Sequence, residues 1–283
     1  MHLILVVLLT VLGAGALFCL GSVLGENAVS RSSKSWLLLA GVVLATPGLF
    51  FVFYYTHLID NAPWFYSFRV LPFTEYLPGG IGLLAGVLNS WFEPESLGEK
   101  LVVPAALAVL VLIPFVKPLL DPIEFDRLRG RCDGEVCMQS TFSTCGPSSA
   151  ATLLKAFGQT TTERQLASEC LTSRGGTEIW YIARAFARRG FHAQVIIQAP
   201  DDLSPPSPAI AGVILRGGAG HFIAIMSETP DEVTIGESDE RQVGGEEGRP
   251  EKLLSFHRFF PCDSSQVAGS TLTYYLSWKF TWI

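Results

Sequence analysis

Long apolar runs dominate the first 120 residues, and most of the charged residues lie from Asp121 onward. A helix needs about 20 predominantly apolar residues to cross a bilayer. Three runs reach that length with few charges, and they cover residues 3–24, 36–58 and 101–120. The pattern therefore predicts a multi-pass transmembrane region over residues 1–120, followed by a separate water-exposed domain.

A fourth segment, residues 73–92, has mixed signals. Its Gly82-x3-Gly86 spacing is typical of closely packed membrane helices. The carboxylate of Glu75 and the Pro-Gly-Gly sequence at 78–80 weaken the prediction that this segment crosses the whole membrane. We therefore expect three or four membrane helices, the fourth being either a span or an interfacial helix.

The number of spans decides the side of the membrane on which the C-terminal half lies. Arg31 and Lys34 favour a cytoplasmic first loop, so three spans predict an inside location and four predict an outside one. Basic residues after the third run support inside, whereas an even set of cysteines able to form two disulfides supports outside. That set is Cys132, Cys137, Cys170 and Cys262. The sequence leaves the side unresolved.

The C-terminal half has the pattern of one α+β domain. Small and apolar residues predict a helix over 148–157, and alternating apolar runs predict strands over 209–215, 221–226 and 233–236. The formal net charge of the chain is −6, without a large basic cluster, which excludes a nucleic-acid-binding protein.

Cys145 stands just before the predicted helix, and this placement suggests a nucleophile. The partial positive charge and unpaired amides of a helix N-terminus stabilise a thiolate, which is the reactive form of cysteine. Gln139 lies six residues earlier. Its side-chain amide and the backbone N–H of Cys145 are suitable donors for a developing oxyanion.

A cysteine nucleophile needs a base, and His221 is the candidate. It opens the second predicted strand, after a glycine-rich turn that leaves room for a peptide. The next strand ends in Glu237-Ser238-Asp239, so either Glu237 or Asp239 could orient the imidazole.

These residues together resemble the bacteriocin-processing cysteine peptidases, the double-glycine leader peptidases. The likeness lies in Gln139-x5-Cys145-Gly-Pro before a small-residue helix, and in Gly220-His221-Phe-Ile later. The resemblance implies a papain-like domain over residues 133–283, with Cys145 and His221 catalytic and Gln139 in the oxyanion hole. Where that family usually has Asp-Pro after the third strand, this chain has Glu237-Ser238, and we prefer Glu237 as the orienting residue because it occupies the strand end.

The predicted function is a membrane-anchored cysteine peptidase that cleaves peptide bonds, with leader-peptide processing implied by the resemblance. We expect a peptide or protein substrate and contact with the lipid bilayer, and no cofactor, metal or nucleic acid. No Walker A loop accompanies the domain, and a partner transporter stays unknown. The alternative is a catalytically inactive papain-like domain that binds peptides or assists membrane assembly.

Overall fold

The structure is a computed structural model, and it describes the residues in the following ranges: 2–59, 62–92, 96–198, 207–214, 220–228, 232–236, 238, 253–257 and 273–278. The chain divides into two compact units, Met1–Leu120 and Asp121–Ile283.

The first unit is helical, as the apolar runs predicted. Its α-helices are α1 (His2–Asn27), α2 (Arg31–Tyr55), α3 (Pro63–Val70), α4 (Ile81–Trp91), α5 (Leu97–Leu112) and α6 (Val116–Leu120), with 3-10 helices at Thr74–Gly80 and Ile113–Phe115. Within the described ranges, three helical stretches are long and apolar enough to cross a membrane: Leu3–Asn27, Arg31–Tyr55 and Gly98–Leu120. The prediction of three or four apolar helices is confirmed.

The uncertain fourth segment, residues 73–92, is the second helix of a bent pair, Pro63–Val70 and Thr74–Trp91, which meet at 104°. The pair counts as a fourth crossing if it is one broken span. The chain turns at Phe73, whose φ of 65° is left-handed, and this conformation interrupts the helix. The Pro-Gly-Gly sequence at 78–80 is not the break, because it lies in the 3-10 helix Thr74–Gly80, which leads directly into α4.

A buried ion pair lies across this bend. Arg69 is fully buried, and its Nη2 lies 3.5 Å from Oε1 of Glu75. Its Nη1 donates to Oγ1 of Thr74 at 2.8 Å, and its guanidinium lies 4.3 Å from the centroid of the Phe51 ring. Pairing removes much of the cost of burying a carboxylate in this helical unit, which explains how Glu75 is tolerated there.

Glycines let α1 and α4 approach each other closely. A Cβ atom at Gly82 would overlap the carbonyl oxygen of Ala14, and one at Gly86 would overlap that of Phe18. Gly21 of α1 meets the backbone of α4 in the same way. The Gly82-x3-Gly86 spacing thus marks a close helix contact, as the sequence predicted.

The second unit combines helices with antiparallel strands. Its helices are α7 (Cys145–Ala156), α8 (Glu163–Glu169) and α9 (Ile179–Ala187), and its strands are β1 (Cys132–Asp133), β2 (Val136–Cys137), β3 (Ala193–Gln198), β4 (Ala209–Ile214), β5 (Gly220–Glu228), β6 (Glu232–Gly236), β7 (Leu253–His257) and β8 (Thr273–Trp278). β1 and β2 form a small hairpin. The remaining described strands form one antiparallel sheet in the order β3-β8-β4-β5-β6-β7.

The elements around the candidate site differ from the sequence prediction mainly at their ends. The three predicted strands are β4, β5 and β6. The predicted helix over 148–157 is α7, but it begins earlier, at Cys145 itself. A 3-10 helix, Phe142–Thr144, leads directly into it and supplies the first turn, so Cys145 is the first residue of α7 and does not precede it.

The close contact of α1 and α4 predicts opposite effects for two Gly-to-Ala substitutions. Gly86→Ala should lower the free energy of unfolding by about 1–3 kcal/mol, because the methyl group meets a fixed carbonyl. Gly15→Ala is the matched control on α1, since a Cβ there meets no atom within 4 Å. It should be neutral or stabilise by roughly 0.5–1 kcal/mol. Thermal unfolding of the full chain in detergent, followed by circular dichroism, measures both, and equal effects would contradict the packing.

Candidate active site

Cys145 lies at the positive end of α7. The preceding turn is held by a capping box, in which the backbone N–H of Thr141 donates to Oγ1 of Thr144 at 3.1 Å. The first N–H groups of an α-helix have no partners within the helix. Cys145 is buried, with 6% of its surface exposed. The fold therefore places this thiol at the positive end of the α7 dipole.

The first turns of α7 contact the start of β5, where His221 lies. Oγ of Ser149 donates to the carbonyl oxygen of Phe222 at 3.0 Å. A Cβ at Gly146 would lie 3.2 Å from Cδ2 of Phe222, so only glycine fits easily at this contact. His221 is 3% exposed, and its neighbour across the sheet is Val213. The residues that follow Cys145 and His221 thus pack against each other.

Gln139 is held by Ser238. The backbone N–H of Gln139 donates to the carbonyl oxygen of Ser238 at 3.0 Å, and Oγ of Ser238 donates to Oε1 of Gln139 at 3.1 Å. Nε2 of Gln139 is buried and has no hydrogen-bond partner in the part of the chain that the structure describes. A glutamine amide with its oxygen occupied and its nitrogen available is a hydrogen-bond donor.

A buried carboxylate holds the residue after Gln139. Glu163 is 1% exposed, and its two oxygens accept from the N–H and the hydroxyl of Ser140, both at 2.6 Å. One of these oxygens also accepts from the N–H of Gly130 at 3.3 Å. Glu163 was not predicted as part of the site. It lies in the first turn of α8, where an acidic residue is common because it stabilises the helix N-terminus.

A disulfide holds the residues before Gln139. Cys132 and Cys137 are bonded to each other across the β1–β2 hairpin. The N–H of Cys137 donates to Oγ1 of Thr152 in α7 at 2.9 Å, which ties the hairpin to the helix of Cys145.

The second disulfide that the even set of cysteines could form is not present among the described residues. Cys170 is a free, buried thiol, and Cys262 lies outside the described residues. Burial raises the pKa of Cys170 to about 12, so that this thiol is protonated at neutral pH. An even number of cysteines in the sequence therefore did not indicate two disulfides: Cys170 belongs to the packed interior of the domain, as a small apolar residue would.

The candidate carboxylates follow β6 in the sequence. Glu237 and Asp239, together with the turn residues 216–219, lie outside the described residues. Gly236 is described, and a Cβ there would lie 3.1 Å from Cγ2 of Thr152. The end of β6 therefore lies beside α7.

No group of three His, Cys, Asp or Glu side chains that could hold a metal ion occurs among the residues that the structure describes. The chemistry offered by the described groups is that of a thiol, an imidazole and a side-chain amide. These are the groups needed for acyl transfer by a nucleophile, a base and an oxyanion donor.

Comparisons with known proteins show what this half of the chain is similar to. Residues 134–247 match the family model of the Peptidase C39 family. A protein of Methanothermobacter thermautotrophicus, described as uncharacterized, is 29% identical over 103 residues, which are 36% of this chain and 70% of that protein.

Two solved structures are also similar to the C-terminal half. One is a double glycine motif protease from an AMS/PCAT transporter in complex with the leader peptide, with 19% identity, a TM-score of 0.38, and coverage of 55% of this chain and 96% of that one. The other is the peptidase domain of Streptococcus ComA, a bi-functional ABC transporter, with 21% identity, a TM-score of 0.35, and coverage of 53% and 97%. Within the C-terminal half of the chain, residues 134–247 are thus similar to the Peptidase C39 family.

Proposed function

We propose that this chain is a membrane-anchored cysteine peptidase with Cys145 as its nucleophile and His221 as its base. The family match supports the class of reaction. The observation that carries the assignment of residues is the contact between the start of α7 and the start of β5, through Ser149 and Phe222. This contact joins the helix that begins with Cys145 to the strand that contains His221. The two residues are 76 positions apart in the sequence (221 − 145).

The proposed reaction is hydrolysis of an amide bond through a thioester. The Cys145 thiolate attacks the carbonyl carbon, and the oxyanion that forms accepts hydrogen bonds from the N–H of Cys145 and Nε2 of Gln139. Protonated His221 gives its proton to the leaving amine as the C–N bond breaks. Water, deprotonated by His221, then attacks the thioester; the C–S bond breaks, the acid leaves, and the Cys145 thiolate and protonated His221 are restored.

We assign the orientation of the imidazole to Glu237. It follows Gly236 at the end of β6, and Gly236 packs beside Thr152 of α7, the helix that begins with Cys145. A carboxylate in this place would accept from the second imidazole nitrogen and hold the ring in one tautomer.

The substrate class follows from the resemblance and the helices. The Gln139-x5-Cys145-Gly-Pro likeness to leader peptidases supports an extended peptide with small residues before the cut, and processing of leader peptides is the finer proposal. Three or four apolar helices would hold the papain-like domain at a bilayer surface. Substrates that are themselves delivered at a membrane suit this arrangement.

Cys145→Ala should abolish turnover of a fluorescence-quenched peptide with a Gly-Gly pair before the cut, because no other described thiol has the same placement. His221→Ala should lower turnover by roughly 10²–10⁴-fold, the usual contribution of a general base. In the double variant the losses should not multiply, since the two groups act as one unit. Cys19→Ala is the matched control, because Cys19 is an exposed free cysteine in α1.

The same experiment decides between the proposal and its alternative. If Cys145→Ala leaves processing of every tested peptide unchanged, the domain is not a cysteine peptidase. If the wild-type protein binds these peptides tightly but turns none of them over, the inactive papain-like domain that binds peptides or assists membrane assembly is favoured instead.

The assignment of the carboxylate predicts an order of effects. Glu237→Gln should lower kcat more than Asp239→Asn does, because only the residue at the strand end accepts from the imidazole. Each change removes one negative charge and keeps the side-chain size, so each variant is the control for the other. A pH profile of kcat/KM measures both, and the reverse order would move the role to Asp239.

A further inference from the structure

Ser238 has an unusual position for a serine between two acidic residues. It is 1% exposed, and both its hydroxyl and its backbone carbonyl contact Gln139. The hydroxyl donates to Oε1 of Gln139 at 3.1 Å, and the carbonyl accepts from the backbone N–H of Gln139 at 3.0 Å. Ser238 therefore holds the backbone and the side chain of the same residue.

The side-chain contact determines which end of the amide is available in the structure. A glutamine amide has an acceptor oxygen and a donor nitrogen of similar size, and a serine hydroxyl can donate to the first or accept from the second. Here the hydroxyl of Ser238 donates to Oε1. With Oε1 occupied by the Ser238 hydroxyl, Nε2 is the end that stays available, and it is buried without a partner among the described residues. In the opposite orientation, an oxygen would face the site in place of a donor.

The difference matters most for an oxyanion. A donor that is already oriented stabilises the developing negative charge without reorganising during the reaction, whereas a facing oxygen repels it. An amide free to rotate would spend part of its time in the wrong orientation. We therefore expect the hydrogen bond from the Ser238 hydroxyl to lower the free energy of the transition state more than that of the resting protein.

We propose that Ser238 is a positioning residue, which holds the Gln139 amide with its N–H groups available to the oxyanion. This inference rests on the proposed function, because it acts through Gln139. It assigns a role to the position where the leader peptidase pattern usually has proline after the third strand, and where this chain has serine. A proline side chain could not donate this hydrogen bond.

A double-mutant cycle in the full-length protein tests the proposal. Ser238→Ala should lower kcat about ten-fold, which is part of the roughly 10²–10³-fold loss expected for Gln139→Ala. The KM for the quenched Gly-Gly peptide should stay unchanged. Iodoacetamide labelling of Cys145 should also keep its rate, because alkylation of the thiol develops no oxyanion. In the Gln139→Ala background, Ser238→Ala should have no further effect on kcat.

Two further comparisons separate the hydroxyl from packing. Threonine and valine side chains have nearly the same shape, but only threonine has a hydroxyl. Ser238→Thr should therefore retain a higher kcat than Ser238→Val if the hydroxyl orients Gln139. Thr161→Ala is the chemical control, because Oγ1 of Thr161 also donates to a glutamine Oε1, that of Gln165, at 3.4 Å, in an exposed place. It should leave kcat unchanged.

The outcomes are distinct. Losses of Ser238→Ala and Gln139→Ala that multiply, or equal kcat for the Thr and Val variants, would overturn the positioning role while the peptidase remains active. If the wild-type protein and Cys145→Ala are equally inactive towards peptides, the proposed function fails, and the role of Ser238 fails with it. A fall in labelling that parallels kcat would show that Ser238 only supports the fold.

Discussion

The contact between the start of α7 and the start of β5 is the constraint on which the candidate site depends. A helix N-terminus favours a thiolate wherever it occurs, but acyl transfer also needs a base at the same place. The glycine at 146 and the hydrogen bond from Ser149 to Phe222 let the strand lie directly against the first turns of the helix. A Cβ atom at position 146 would lie 3.2 Å from Phe222 and 2.9 Å from Ile182, so a larger residue would require these side chains to shift.

Gln139 lies outside helices and strands, so contacts with other segments fix its position. The disulfide of the β1–β2 hairpin holds the chain before it, Glu163 holds the residue after it, and Ser238 holds the residue itself. An oxyanion donor is useful only if it is oriented before the charge develops. Three independent attachments around one side chain are consistent with that requirement, and each comes from a different segment of the chain.

Local patterns predicted most of the elements, and long-range contacts explain what they missed. Alternation and apolar runs indicated the three apolar helices and the strands around His221, because these signals lie within one element. The roles of Glu163 and Ser238 depend on partners far away: Ser238 is 99 positions from Gln139. The start of α7 was placed too late, since the capping box of Thr141 and Thr144 extends order back to Cys145. In the helical unit, Glu75 weakened the prediction of a fourth membrane helix, because its ion pair with Arg69 could not be inferred from the sequence.

Mass spectrometry of an acid-quenched reaction detects the covalent intermediate proposed on the thiol of Cys145. During turnover of a Gly-Gly peptide, we expect the fragment that contains Cys145 to gain the mass of the acyl part of the substrate. The free thiol of Cys170 should stay unmodified, because burial keeps it protonated. Product that accumulates with no acyl group on Cys145, or with the acyl group on Cys170, would contradict the account.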